Sequence, residues 1–172
     1  MTRRKLSAAV VVGSAVGLAS LLAVGAAAGR QAAAGAEKEL RADAELFAAG
    51  WNHGDAKAMA ALFAVDADLI NPFAAAAKGR AGIEKFFAAE LGTLTKGTTF
   101  TIKVFSPRLL HPGLAVEDMD VEITGGTLAP DPAKPLKNHA FLVVKKQGGK
   151  WLAVSLRAWS YLPPPPAAAA PK

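Results

Sequence analysis

The period of the apolar residues changes once along this chain, and that change restricts the fold more than any other feature. From Glu37 to Leu91 apolar side chains recur at helical spacing; from Phe100 to Tyr161 they alternate, and β-branched and aromatic residues take over. Leu40, Ala44, Phe47 and Trp51 place an amphipathic helix over Glu37 to about Ala49, ending near Gly50. Asp55 is positioned to cap a second, short helix that turns Met59, Leu62 and Phe63 inward. Asp66 to Asn71 reads as a short strand closed by Pro72, which removes a donor and disfavours helical geometry at Asn71. Ile83, Phe86, Phe87 and Leu91 share one face of a third helix over Gly79 to Leu91, and Gly92 supplies the stop.

In the alternating half, Phe100, Ile102 and Val104 lie on one face of a strand. Ala115, Met119, Val121 and Ile123 do so in the next, with Glu117 on the same face. Asn138 to Lys146 forms a third strand, joined through Gln147-Gly148-Gly149 to a fourth at Trp151 to Tyr161 as a hairpin. Helices segregated ahead of an antiparallel sheet predict an α+β fold, three N-terminal helices packed on a curved, mainly antiparallel sheet that encloses a cone.

The ends of the 172-residue chain read differently. Arg3, Arg4 and Lys5 precede a charge-free run from Leu6 to Ala28 that closes on Ala26-Ala27-Ala28, the order of a secretory signal over residues 1–28. The Arg3-Arg4 pair also resembles a twin-arginine signal, and periplasmic or extracellular localisation is expected. An uncleaved anchor is the alternative, the one case in which a membrane partner is expected. Residues 29–36 read as a low-complexity linker, 37–162 as the folded domain, and 163–172 as a Pro/Ala-rich disordered tail. The absence of cysteine excludes a disulfide scaffold and thiolate metal sites. The net charge is +6, but three of those charges belong to the signal, and the remainder lacks the clustering that nucleic-acid binding needs.

The run Trp51-Asn52-His53-Gly54-Asp55, followed by Asp66-Ala67-Asp68, Asn71-Pro72-Phe73 and Gly79-Arg80 leading into Ile83, Phe86 and Phe87, resembles the nuclear transport factor 2-like superfamily. Within it the chain is most similar to SnoaL-like proteins and their SgcJ/EcaC branch. The resemblance spans roughly Glu37 to Tyr161 and implies a conical α+β barrel with an apolar pocket, frequently a homodimer packed through the sheet. It implies no single reaction, since members include isomerases, cyclases, dehydratases and catalytically inert scaffolds. Ketosteroid isomerase chemistry needs an oxyanion Tyr, a basic Asp and a second, protonated Asp. The matching positions hold Phe47, Asn71 and Phe141, or His139 if the register slips by two, so that mechanism does not carry over.

Asn71, His139 and Glu117 are the candidate catalytic groups. Asn71 stands where the superfamily often places a working group, although Asn before Pro is also a turn residue. His139 shares strand parity with Phe141 and Val143, and titrates near neutrality if it faces a pocket; a satisfied structural histidine is the plainer reading. Glu117 is either a pocket carboxyl with a raised pKa or a residue reaching solvent, and solvent is expected. Phe47, Trp51, Phe73, Phe86 and Phe141 are the expected pocket lining. Trp151, Arg157, Trp159 and Tyr161 share a face on the last strand and are the expected dimer interface, or part of the pocket wall. Asp118, Asp120 and Glu122 read as a solvated outer face. His53 with Asp55 offers no metal-site spacing, and no phosphate loop, dinucleotide fingerprint or nucleophile elbow occurs, so neither metal nor cofactor is expected. The functional expectation is an exported protein that binds a small apolar or amphipathic molecule. Enzymatic action on a carbonyl compound and a non-catalytic dimeric scaffold are the alternatives.

Overall fold

A computed structural model describes residues 15–161, with side-chain placement from residue 29 onward. The first fourteen residues of the expected export signal and the whole expected tail lie outside the described residues. Helix α1 runs Ala15–His53, so residues 29–36, read as a low-complexity linker, are helical. Four alanines and no proline in that octet favour helix over coil. The chain divides into two compact units, Met1–Gly35 and Ala36–Lys172.

In the second unit α1 is followed by α2 (Ala56–Ala61), β1 (Phe63–Ile70), β2 (Ala76–Lys78) and α3 (Arg80–Gly92). Then come β3 (Thr98–His111), β4 (Leu114–Gly125), β5 (Leu136–Gln147) and β6 (Lys150–Ser160). The six strands form one sheet in the order β2-β1-β6-β5-β4-β3. Only the β1–β6 pairing is parallel. The helices pack on the concave face of this curved sheet, and the core lies between them. This is the expected α+β architecture.

Local chemistry explains most boundaries. Asp55 caps α2, its carboxylate accepting from the Ala58 N–H at 2.8 Å. The β5–β6 turn places Gly148 and Gly149 at φ 56° and 81°, the left-handed pair that a two-residue hairpin with matching twist requires. β1 starts three residues earlier than the sequence pattern indicates, because Phe63 pairs with Ala153 on β6. The short edge strand β2 carries only Ala76-Ala77-Lys78 and has no alternation to reveal it.

Two strands depart from simple alternation. In β3 the register shifts between Ile102 and Val104, so Val104 is 49% exposed and Phe105 packs against the core instead. In β6 the register shifts about Val154, because Val143 pairs with Ser155 while Val144 pairs with Ala153. An extra residue on one strand reverses the facing of everything beyond it. Among the described residues, no helix is long and apolar enough to cross a membrane.

Candidate functional site

A cavity of about 120 Å³ opens between the helices and the concave face of the sheet. Its α1 wall follows from spacing: Asp43, Phe47 and Trp51 lie four residues apart and project from one face beside Leu40 and Ala44. Three sets of contacts hold that face. Asn52 donates from Nδ2 to the Phe100 carbonyl at 3.1 Å and accepts the Phe100 N–H at 2.7 Å. The Trp51 indole donates to Thr98 Oγ1 at 3.0 Å. Further back along the helix, Glu39 accepts from the Trp151 indole at 2.8 Å and from Lys146 at 2.6 Å. The α3 wall, with Phe86 and Phe87, is oriented by Arg80, whose Nε donates to the Phe63 carbonyl at 2.7 Å.

The interior is aromatic. Phe47 meets Phe87 at 5.5 Å and Phe100 at 5.6 Å between ring centroids, edge to face, and Trp51 lies 5.2 Å from Phe100. The ionisable side chains lining this space are all acidic: Asp43, Glu90 and Glu117. Glu117 is 4% exposed. Burial pushes its pKa up to about 8, and the nearby Asp43 charge adds to the rise. Burial also raises Asp43, with a further contribution from Glu39, and burial alone raises Glu90. Thr95 lines the same cavity, and its buried Oγ1 has no hydrogen-bond partner among the described residues. At neutral pH, Glu117 therefore stands as a carboxylic acid, a hydrogen-bond donor in apolar surroundings.

The structure places Phe47, Trp51, Phe73 and Phe86 in the cavity lining, with Phe73 half exposed. Phe141 is not there. Along β5 the inward positions are Asn138, Ala140, Leu142 and Val144, so Phe141 and the candidate His139 occupy the outer face. With both turned outward, neither supplies a second acid for isomerase chemistry. Glu117 overturns the solvent expectation, because it alternates with Met119 and Val121 on the concave side of β4. Asn71 lines the cavity, but its Oδ1 is engaged by the N–H groups of Phe73 at 3.0 Å and Ala75 at 2.9 Å, the turn role. Trp151 separates from the other expected interface residues: the register shift in β6 leaves it in the cavity wall and sends Arg157 and Trp159 outward.

His139 belongs to a polar cluster on the outer face. Its Nδ1 lies 2.7 Å from Asp120 and its Nε2 3.2 Å from Asp118, while the Tyr161 hydroxyl donates to Asp120 at 2.6 Å. Trp159 stacks on the His139 ring at 4.6 Å. Glu122 pairs with Lys103 at 3.0 Å, as a solvated face requires. Sequence reasoning missed Asp43, Glu90, Thr95 and Asn138. Asp43 lies three residues after Leu40 and four before Phe47, and Glu90 four after Phe86, so helical spacing already put both on apolar faces.

Residues 44–154 match the model of the SnoaL-like domain. The chain belongs to the SnoaL-like family. No functionally curated protein matches this SnoaL-like chain. Among solved structures, it is similar to a domain of unknown function with a cystatin-like fold from Nostoc punctiforme, at 25% identity and TM-score 0.66, over 74% of this chain and 78% of that one. A nuclear transport factor 2-like protein of unknown function from Pseudomonas putida is 19% identical with TM-score 0.65, over 73% and 87%. A provisionally assigned scytalone dehydratase from Novosphingobium aromaticivorans is 16% identical with TM-score 0.67, over 77% and 89%. The last two likenesses establish the shared nuclear transport factor 2-like cone.

Proposed function

We propose that this SnoaL-like protein takes a small, mainly apolar molecule into its cone. The observation that carries the reading is the cavity itself, about 120 Å³ walled by aromatic and aliphatic side chains with a few polar groups among them. An apolar void of roughly 150 Å³ holds a benzene-sized guest, so a single-ring compound is the scale implied. Burying such a guest gains roughly 25 cal/mol per Å² of apolar surface. The test is a native mass spectrum of the gently purified full chain, with thermal shifts against neutral single-ring compounds. A retained small-molecule mass or a rise in Tm is expected; an empty protein that no compound stabilises overturns the reading.

A second reading, proton transfer on a carbonyl compound, is supported by Asp43 and Glu117. One carboxyl protonated near neutrality beside another supplies an acid and a base to one cavity. The same fold carries the provisionally assigned scytalone dehydratase. Deuterium exchange into the methyl group of acetophenone, accelerated by the protein and lost in Glu117→Gln, is the expected result; equal rates in both overturn it.

Export and self-association complete the proposal. Residues 1–28 are read as a cleaved signal, so the mature N-terminus is expected near Gly29, and a retained Met1 overturns this. Two copies are proposed to meet across the outer sheet face, where Val104, Asp120, His139 and Trp159 align in one row over four strands and Trp159 is 46% exposed. Sedimentation is expected to report a dimer that Trp159→Lys weakens; a monomer at high concentration contradicts it.

A further inference from the structure

The charge of the cavity runs against the charge of the chain. Lys and Arg number 20 against 14 Asp and Glu, yet among the described residues no Lys, Arg or His lines the cavity, while Asp43, Glu90 and Glu117 do. Two further observations point to what belongs inside. Glu117 is 96% buried in that wall, and the buried Thr95 Oγ1, which lines the same void, has no hydrogen-bond partner among the described residues. Buried polar groups are nearly always satisfied, so an orphaned hydroxyl in a void that it shares with a desolvated carboxyl indicates that its partner is the molecule that fills it. The aromatic walls at Phe47, Trp51, Phe86 and Phe100 supply π-faces, and these attract cations as well as apolar bodies.

We propose that the cavity takes a small hydrophobic amine, bound as its ammonium ion with Glu117 as counter-ion and the aromatic walls around its apolar body. The inference rests on the small-molecule reading above and names the ligand class. A neutral guest leaves the acidic wall without a cation, and a carboxylate such as a fatty acid meets the Asp43 charge with no basic side chain to offset it. An ammonium ion carries the N–H donors that a carboxylate and a threonine hydroxyl accept. Its arrival reverses the electrostatics at Glu117, whose pKa stands at about 8 without a cation beside it. The Glu117 O–H bond breaks as the ion pair forms, and the proton leaves to solvent, so that binding near neutrality releases a proton.

The test titrates the full-length protein with benzylamine, benzyl alcohol and benzoate at pH 7, following the fluorescence of the cavity residues Trp51 and Trp151. Calorimetry in phosphate and in Tris counts protons released. Benzylamine is expected to bind at least tenfold more tightly than benzyl alcohol, with proton release, and benzoate not at all. Glu117→Gln is expected to bring the amine and the alcohol within threefold of each other and to abolish proton release. Asp43→Asn, at a partly exposed helix position, gives a second variant expected to reduce the same preference. Benzyl alcohol binding as tightly as benzylamine overturns the amine assignment while leaving the small-molecule reading intact; binding of none of the three overturns both.

Discussion

Asp43 on α1 and Glu117 on β4 line the same cavity, and the charge of Asp43 adds to burial in holding the Glu117 carboxyl protonated up to about pH 8. That relationship makes stability depend on pH in a definite direction. The folded-state pKa lies above the ordinary value of 4.5, so the native state holds more protons than the unfolded chain between the two values. The contribution is fully present below pH 4.5 and is lost as pH rises through about 8. At about 1.4 kcal/mol per pH unit, the whole span is worth up to about 5 kcal/mol. Urea unfolding from pH 5 to 9 is expected to show falling stability that levels near pH 9, and Glu117→Gln is expected to flatten that slope.

Asn52 ties the end of α1 to β3 through two hydrogen bonds with the Phe100 backbone. Asn52→Ala removes both and leaves a strand N–H and carbonyl without their partners. A loss of about 2 kcal/mol is expected, from a net contribution of roughly 1 kcal/mol per bond. Because the neighbouring Trp51 donates to Thr98, the variant is also expected to shift tryptophan emission before global unfolding in a urea titration.

Gly50 sits inside α1, where alanine ordinarily stabilises a helix by about 1 kcal/mol. Here the sign reverses. A Cβ at Gly50 meets Met59 Cγ at 2.7 Å, and Met59 is fully buried between α2 and the core. Overpacking of this kind costs about 1–3 kcal/mol, so Gly50→Ala is expected to lower Tm, whereas the same substitution made in a Met59→Ala background is expected to cost less than it does in the unaltered protein.

The helices and strands were legible because their apolar residues follow one period each, and the cone follows from their order. The cavity's polar groups were less legible, for a physical reason that Asp43 and Glu117 illustrate. A carboxyl on an apolar face is usually drawn to solvent, and only the closure of α1 over β4 takes Glu117 out of water. His139 and Phe141 went astray differently: strand alternation identifies two faces without saying which is concave, and Asn138 and Ala140 turned out to be the inward pair. The separation of Trp151 from Arg157 was invisible because a one-residue register shift at Val154 leaves no mark in composition.

Arg157 donates to Asp68 at 2.5 Å and so ties β6 to β1 across the one parallel pairing in the sheet. That hydrogen bond is the main reason the Asp68 carboxyl titrates below its ordinary range, ahead of smaller contributions from Ser155 and Lys78. A depressed carboxylate stabilises the fold above its unfolded pKa, and the benefit disappears as pH falls through the folded value. Both side chains are about a third or more exposed, so solvent screening holds the pair to about 1 kcal/mol or less. Asp68→Asn is therefore expected to cost up to about 1 kcal/mol at pH 7 in low salt, less in 1 M salt, and close to nothing at pH 2. Chemical denaturation at the two pH values and two salt concentrations checks all three. A cost at pH 2 equal to that at pH 7 would show that Asp68 acts through packing rather than through its charge.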